Sequence, residues 1–319
     1  MVKSSFSALT LLLYALLVSL ASAQSYPARP VRIVTGGTGS NSDFAARVIA
    51  QALTGALRQQ VIVENRPSGV ILGEIVAKAS PDGYTLLVSG SSFWLAPFLQ
   101  PKLPWDPVKD FAPVILAASA PNLVVVHPSM TVKSVTELIA LAKARAGELD
   151  YASGSTGSTP HLAAELFKAM AGVDITRINY KGSGPAINDL LGGRVPLMFP
   201  AAGSVIPHVK AGRLRALAVT SAQPSALVPG LPTVAASGVP GYEFASLTGM
   251  FAPVKTPRAL IDRLNQETAS ALNRTDVKER FLISGVEAVG SSPEQFGAIV
   301  RGEMARLGKV IKDAGIQNE

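Results

Sequence analysis

The sequence predicts an α/β fold of two lobes, each a doubly wound βαβ unit, joined by a hinge. Three observations predict it. A strand, a loop of small residues and a helix occur in that order twice, once in each half of the chain. The strands are continuous apolar runs, as in parallel sheets covered on both faces. The two halves also keep one spacing: Gly39 and Gly154 stand 115 positions apart, as do Gly69 and Gly184.

The elements follow in order. Arg32 to Val34 is a strand that runs into the loop Gly36, Gly37, Thr38, Gly39, Ser40, Asn41 and Ser42, then a helix from Asp43 to Ala52. Val61 to Asn65 is the second strand, Arg66 to Gly69 a turn, Gly73 to Lys78 a helix, and Thr85 to Ser89 the third strand. The second half repeats this. Leu149 to Ala152 leads into Ser153, Gly154, Ser155, Thr156, Gly157, Ser158 and Thr159, then a helix from Pro160 to Met170. Thr176 to Tyr180, a turn at Lys181 to Gly184, a helix at Ala186 to Leu191 and a strand at Val195 to Phe199 complete it. Val114 to Val126 and Leu247 to Pro253 are the expected crossings. Helices are expected at Ala259 to Arg274, Asp276 to Ser284 and Pro293 to Ala314, with Thr256 and Ser292 as N-caps before proline. The helical faces Phe44, Val48, Ala52 and Leu162, Leu166, Met170 read as core. Residues 24–124 and 250–319 form lobe one, and 125–249 form lobe two.

The N-terminus reads as an export signal over 1–23. Lys3 precedes an apolar core at Ala8 to Leu20, and Ala21-Ser22-Ala23 is a small-residue cleavage site. Its removal takes away one charge and leaves the mature chain at +6 from a formal +7. There is no cysteine in the 319 residues, so disulfides, thiolate catalysis and cysteine-held metals are excluded. The positive charge is dispersed, with no basic cluster interleaved with aromatic residues, so no nucleic-acid surface is expected.

Small-residue loops before helices aim backbone N–H groups at anions. Gly36, Gly37, Thr38, Gly39, Ser40 and Asn41 form one candidate binding loop, with Asp43 as a first-turn acid. Ser153, Ser155, Thr156, Gly157, Ser158 and His161 form the other. Gly37, Gly39 and Ser42 imitate a dinucleotide fingerprint, but the third glycine is missing. Ser155 fails as a nucleophile elbow, because Ser153 stands where glycine is needed. His127, His161 and His208 show no metal-ligand spacing. No cofactor, no metal and no catalytic residue is expected. A secreted hydrolase using Ser153 to His161 stays the alternative from another class.

The chain resembles the Bug-type receptors of tripartite tricarboxylate transporters. The resemblance runs through Val63-Glu64-Asn65-Arg66-Pro67, Ser80-Pro81-Asp82-Gly83-Tyr84-Thr85-Leu86 and Pro107 to Pro113. It continues through Tyr180-Lys181-Gly182, Lys210-Ala211-Gly212-Arg213-Leu214, Leu231-Pro232-Thr233-Val234 and Gly290 to Glu294. It implies a periplasmic-binding-protein, or Venus flytrap, fold. It implies periplasmic capture of a small organic acid, delivery to membrane permease subunits, and action as a monomer. A ligand-bound partner of a signalling sensor uses the same fold. The walls implied beyond the two loops are Ser89 to Phe93, with Ser91 and Phe93; Tyr180 to Gly184, with Tyr180 and Gly182; and Phe199 to Ala202, with Pro200 and Ala201. The family's polar residues are absent at two walls, where Val70 to Leu72 and Phe199-Pro200-Ala201 stand, and Phe93 and Trp94 are expected at the mouth. That favours an acid less polar than aspartate or glutamate: an aromatic or aliphatic monocarboxylate, or a diacid with a larger apolar body.

Overall fold

The computed structural model describes residues 26–316 except Gly39, Pro67, Ser68, Pro101 and Ser155. The expected leader, and the candidate site residues Gly39 and Ser155, lie outside the described residues.

The first half folds as β1 (Val31–Thr35), α1 (Asn41–Leu57), β2 (Val61–Asn65), α2 (Gly69–Ala77), β3 (Thr85–Gly90) and α3 (Ser91–Leu99). β2, β1 and β3 lie side by side and parallel. β4 (Phe111–Pro121), β10 (Ala245–Pro253) and β11 (Glu287–Ala288) extend the sheet antiparallel, in the order β11-β4-β10-β3-β1-β2. The second half holds β5 (Leu123–Val126), α4 (Val135–Ala144), β6 (Asp150–Ser153), α5 (Thr159–Ala171), β7 (Thr176–Asn179), α6 (Ser183–Leu191), β8 (Leu197–Met198), α7 (Ala202–Lys210) and β9 (Arg215–Val219). Its sheet runs β7-β6-β8-β5-β9. The repeat read from the glycine spacing is thus two parallel βαβαβ units, β2-β1-β3 and β7-β6-β8.

The sheets are mixed rather than wholly parallel. The crossing strands β10 and β5 run antiparallel to their neighbours, because a strand arriving from the other sheet enters from the opposite end. Edge strands also depart from the continuous apolar pattern. Ile62 on β2 is exposed, and no residue of β7 is fully buried. An edge strand has one covered flank fewer to satisfy.

The C-terminal segment forms α8 (Arg258–Leu272), α9 (Thr275–Ile283) and α10 (Pro293–Asp313). Ser292 closes a capping box with Gln295, each side chain meeting the other's backbone N–H. Thr256 does not cap α8. The N-cap is Pro257, and the Thr256 hydroxyl is buried without a hydrogen-bond partner among the described residues.

Phe93, Trp94, Phe111, Phe251 and Phe296 form an aromatic cluster under the first sheet. The same apolar cluster reaches Tyr151, Phe167 and Phe199 in the second half. Trp94 is fully buried, so it does not stand at a cleft mouth as expected. Helical placement on the inner face of α3 turns its ring away from solvent.

Two junctions tie the sheets. At the first, Asn122 lies between β4 and β5, and Thr220 follows β9. The Asn122 N–H donates to the Thr220 hydroxyl oxygen (2.8 Å) and the Thr220 N–H to the Asn122 carbonyl (2.9 Å). Phe244, just before β10, donates its N–H to the Thr220 carbonyl (2.7 Å). At the second, Glu287 of β11 accepts from the Ser225 hydroxyl (2.6 Å) and the Ala226 N–H (3.0 Å). Gly285, at φ 72°, touches Gly203 of α7 so closely that a Cβ there would stand 2.2 Å from the Gly203 Cα.

Candidate functional site

A cleft of about 370 Å³ opens where the ends of β1 and β3 face the start of α5. Three helix N-caps line it: Ser40 of α1, Gly90 of α3 and Ser158 of α5. The first two come from the first half of the chain and the third from the second. Each helix start leaves backbone N–H groups without partners inside the helix, and carries the positive end of the helix dipole. Around them stand Gly36, Gly37, Asn41, Ser42, Ser89, Ser91, Ser92, Gly157, Thr159, Ser246 and Thr248. Leu72, Phe93, Leu162 and Phe244 supply apolar surface, and Arg66 a positive charge.

The first loop is held from behind. The Asn65 amide donates to the Gly36 carbonyl (2.7 Å) and to Asp43 Oδ1 (2.7 Å). Arg47 pairs with Asp43 at 3.0 Å. Asp43 is nearly buried and fixes the loop and helix start rather than lining the cleft. The Ser40 hydroxyl accepts from the Asp43 N–H (3.2 Å), a capping bond.

The second loop is held by a residue the sequence reading missed. Arg177, on β7, donates to the Ser153 hydroxyl (2.7 Å), the Gly154 carbonyl (3.1 Å) and the Thr156 hydroxyl (3.3 Å). His161 is buried, and its Nδ1 accepts from the Gly157 N–H (3.1 Å). Burial, then the charges of Arg177 and Lys168, push its pKa down to about 4. The ring is therefore neutral at pH 7, with its proton on Nε2. The Nδ1 lone pair is spent on shaping the loop. At Gly157 φ is 74°, a left-handed conformation that suits glycine. The Ser158 hydroxyl oxygen is buried without a hydrogen-bond partner among the described residues.

The expected site residues thus separate. Gly36, Gly37, Ser40, Asn41, Ser91, Phe93, Gly157 and Ser158 come together around the cleft. The Phe93 ring stacks on Trp105, with centroids 4.6 Å apart, so it belongs to the core as well. Asp43, Ser153, Thr156 and His161 stand behind the loops. Thr38 does not line the cleft, nor does Gly182, the N-cap of α6. Tyr180 turns to Asp189 (2.9 Å). Pro200 accepts from the Leu123 N–H (2.9 Å), and Ala201 bridges to Asn122, so this segment serves the first junction. Arg66, Leu72, Leu162, Phe244, Ser246 and Thr248 line the cleft without having been read as binding residues. Among the described residues, no three His, Asp or Glu side chains gather as a metal site needs.

The sequence pattern of the TctC family, described as the tripartite tricarboxylate transporter family receptor, matches residues 45–316. The chain belongs to this family. BugT of Bordetella pertussis is 38% identical over 299 residues, covering 92% of this TctC-family chain and 92% of BugT. A protein of R. palustris solved with adipate is 38% identical, with a TM-score of 0.76 over 92% of this chain and 100% of that one. The periplasmic binding protein BugD is 31% identical, with a TM-score of 0.73 over 92% of this chain and 100% of BugD. These neighbours share the two-lobed fold of solute-binding proteins, and the TctC family is one of solute-binding receptors. No helix among the described residues is long and apolar enough to cross a membrane.

Proposed function

We propose that this receptor captures a small organic acid in the cleft between its lobes, in the periplasm, and hands it to the permease subunits of its transporter. One observation carries the reading. Three helix N-caps, Ser40, Gly90 and Ser158, drawn from both halves of the chain, line a single cleft rich in hydroxyl groups. Helix starts and loop N–H groups hold a carboxylate without a salt bridge. Leu72, Leu162 and Phe244 suit an apolar ligand body, and the adipate carried by the R. palustris relative is an acid of that kind. The lobes close about the crossings at Asn122 and Thr220, a hinge motion that buries the ligand. One chain supplies both walls, so a monomer suffices. His161 spends its Nδ1 lone pair on the Gly157 N–H, which speaks against its serving as the base of a hydrolase in this loop.

A thermal-shift screen of the full mature chain against mono-, di- and tricarboxylates tests the reading. The protein is first unfolded and refolded to strip any ligand it carries. An acid at 100 times its Kd adds about 2.7 kcal/mol, a midpoint rise of roughly 4 °C or more. No rise with any acid overturns it.

A further inference from the structure

Among the described residues that line the cleft, Arg66 alone is charged. Its backbone is anchored: the Arg66 N–H donates to the Thr35 carbonyl at the end of β1 (2.9 Å). The guanidinium is half exposed and meets one oxygen of Glu64. The other Glu64 oxygen accepts from Arg32 at 3.0 Å. Two guanidinium groups therefore share one carboxylate, and this corner keeps a net positive charge. Asp43, on the neighbouring loop, is already engaged by Arg47 and Asn65. The repeat places Lys181 at the position equivalent to Arg66 in the second half. Lys181 is exposed and does not line the cleft, so the cationic corner is one-sided.

We infer that Arg66 is the residue by which this receptor selects a second carboxylate on its ligand. This rests on the acid-receptor reading above. The N-caps Ser40, Gly90 and Ser158 take the first carboxylate and Leu72, Leu162 and Phe244 take the apolar middle. A guanidinium presents a planar fork of donors that matches a carboxylate two bonds at a time. Arg66 is held loosely enough to turn to the ligand, because Glu64 retains Arg32 when it does. The ligand class is a diacid with an apolar body, and a monoacid of equal length leaves Arg66 on Glu64.

The test compares acids matched in carbon skeleton: succinate with butanoate, adipate with hexanoate, terephthalate with benzoate. Each is titrated calorimetrically into the refolded full-length mature protein. For at least one pair the wild-type protein binds the diacid tenfold or more tightly than the monoacid. Arg66→Gln lowers that ratio about tenfold, and added salt lowers it in the wild type. Glu64→Gln removes the competing carboxylate and raises the ratio. A wild-type protein with no diacid preference, a ratio unchanged in Arg66→Gln, or an equal loss of diacid and monoacid overturns the inference and leaves the acid receptor standing. Binding of none of the six by folded wild-type protein overturns the receptor reading, and the inference falls with it.

Discussion

The Ser91 hydroxyl, on the cleft wall, donates to a carboxylate oxygen of Glu303 3.1 Å away, across 212 positions of sequence. Trp94 Nε1 donates to the same oxygen at 2.8 Å. Ser91 in turn accepts from the Leu247 N–H (3.2 Å), between the cleft residues Ser246 and Thr248. A nearly buried acid on the C-terminal helix thus fixes the start of α3 and the adjoining part of β10.

Glu303→Ala leaves two buried donors without an acceptor. It is expected to cost about 2–4 kcal/mol in urea unfolding and to weaken acid binding, because Ser91 loses its position. Glu303→Gln keeps an acceptor and costs less. Burial raises the Glu303 pKa above its ordinary 4.5, with Glu243 adding and Trp94, Ser91 and Arg306 opposing. The folded state then holds the proton more tightly than the unfolded chain. Its contribution to stability is full below 4.5 and declines as pH rises through the folded value. Stability measured against pH should lose that component in Glu303→Gln.

His161 acts in the opposite direction. Its pKa is near 4 in the fold and 6.5 unfolded. Between those values the unfolded chain binds more protons, so stability falls as pH drops from 6.5 towards 4 and then levels off. His161→Gln should flatten the stability profile in that window. An unchanged slope in chemical unfolding at pH 7, 6, 5 and 4 counts against the burial argument.

Arg177→Met removes three hydrogen bonds from the second loop. Acid affinity should fall about tenfold, a loss of about 1.4 kcal/mol, because the loop N–H groups no longer point at one place. Calorimetric titration gives the affinity and circular dichroism checks the fold. Full affinity in Arg177→Met shows that the loop keeps its shape without the clamp.

Much of the fold was legible because it is local. Gly36 to Ser40 and Gly157 to Ser158 announce tight loops by composition, and the 115-residue offset exposes the two halves. The site was legible only where ligand and backbone meet. Arg66 sits in a turn motif whose charge reads as surface, and only the facing start of α5 makes it a cleft residue. Arg177 lies mid-strand on β7, where sequence shows strand propensity and not the side chain's reach to the next strand's loop. Phe244, Ser246 and Thr248 enter the cleft through the return crossing, a contact no local pattern encodes. Glu303 looks like one exposed acid of an amphipathic helix until α3 is packed on it.

Besides the packing of α10 on α5, the lobes are fastened by hydrogen bonds at Asn122 with Thr220 and at Glu287 with Ser225. A rotation about the line through these two junctions leaves their hydrogen bonds in place. Displacement on such a lever grows with distance from that line, so a slight misfit deep in the jaws becomes a larger gap at their rims. Any partner bridging both rims would therefore read the cargo's fit as an angle, without touching the cargo.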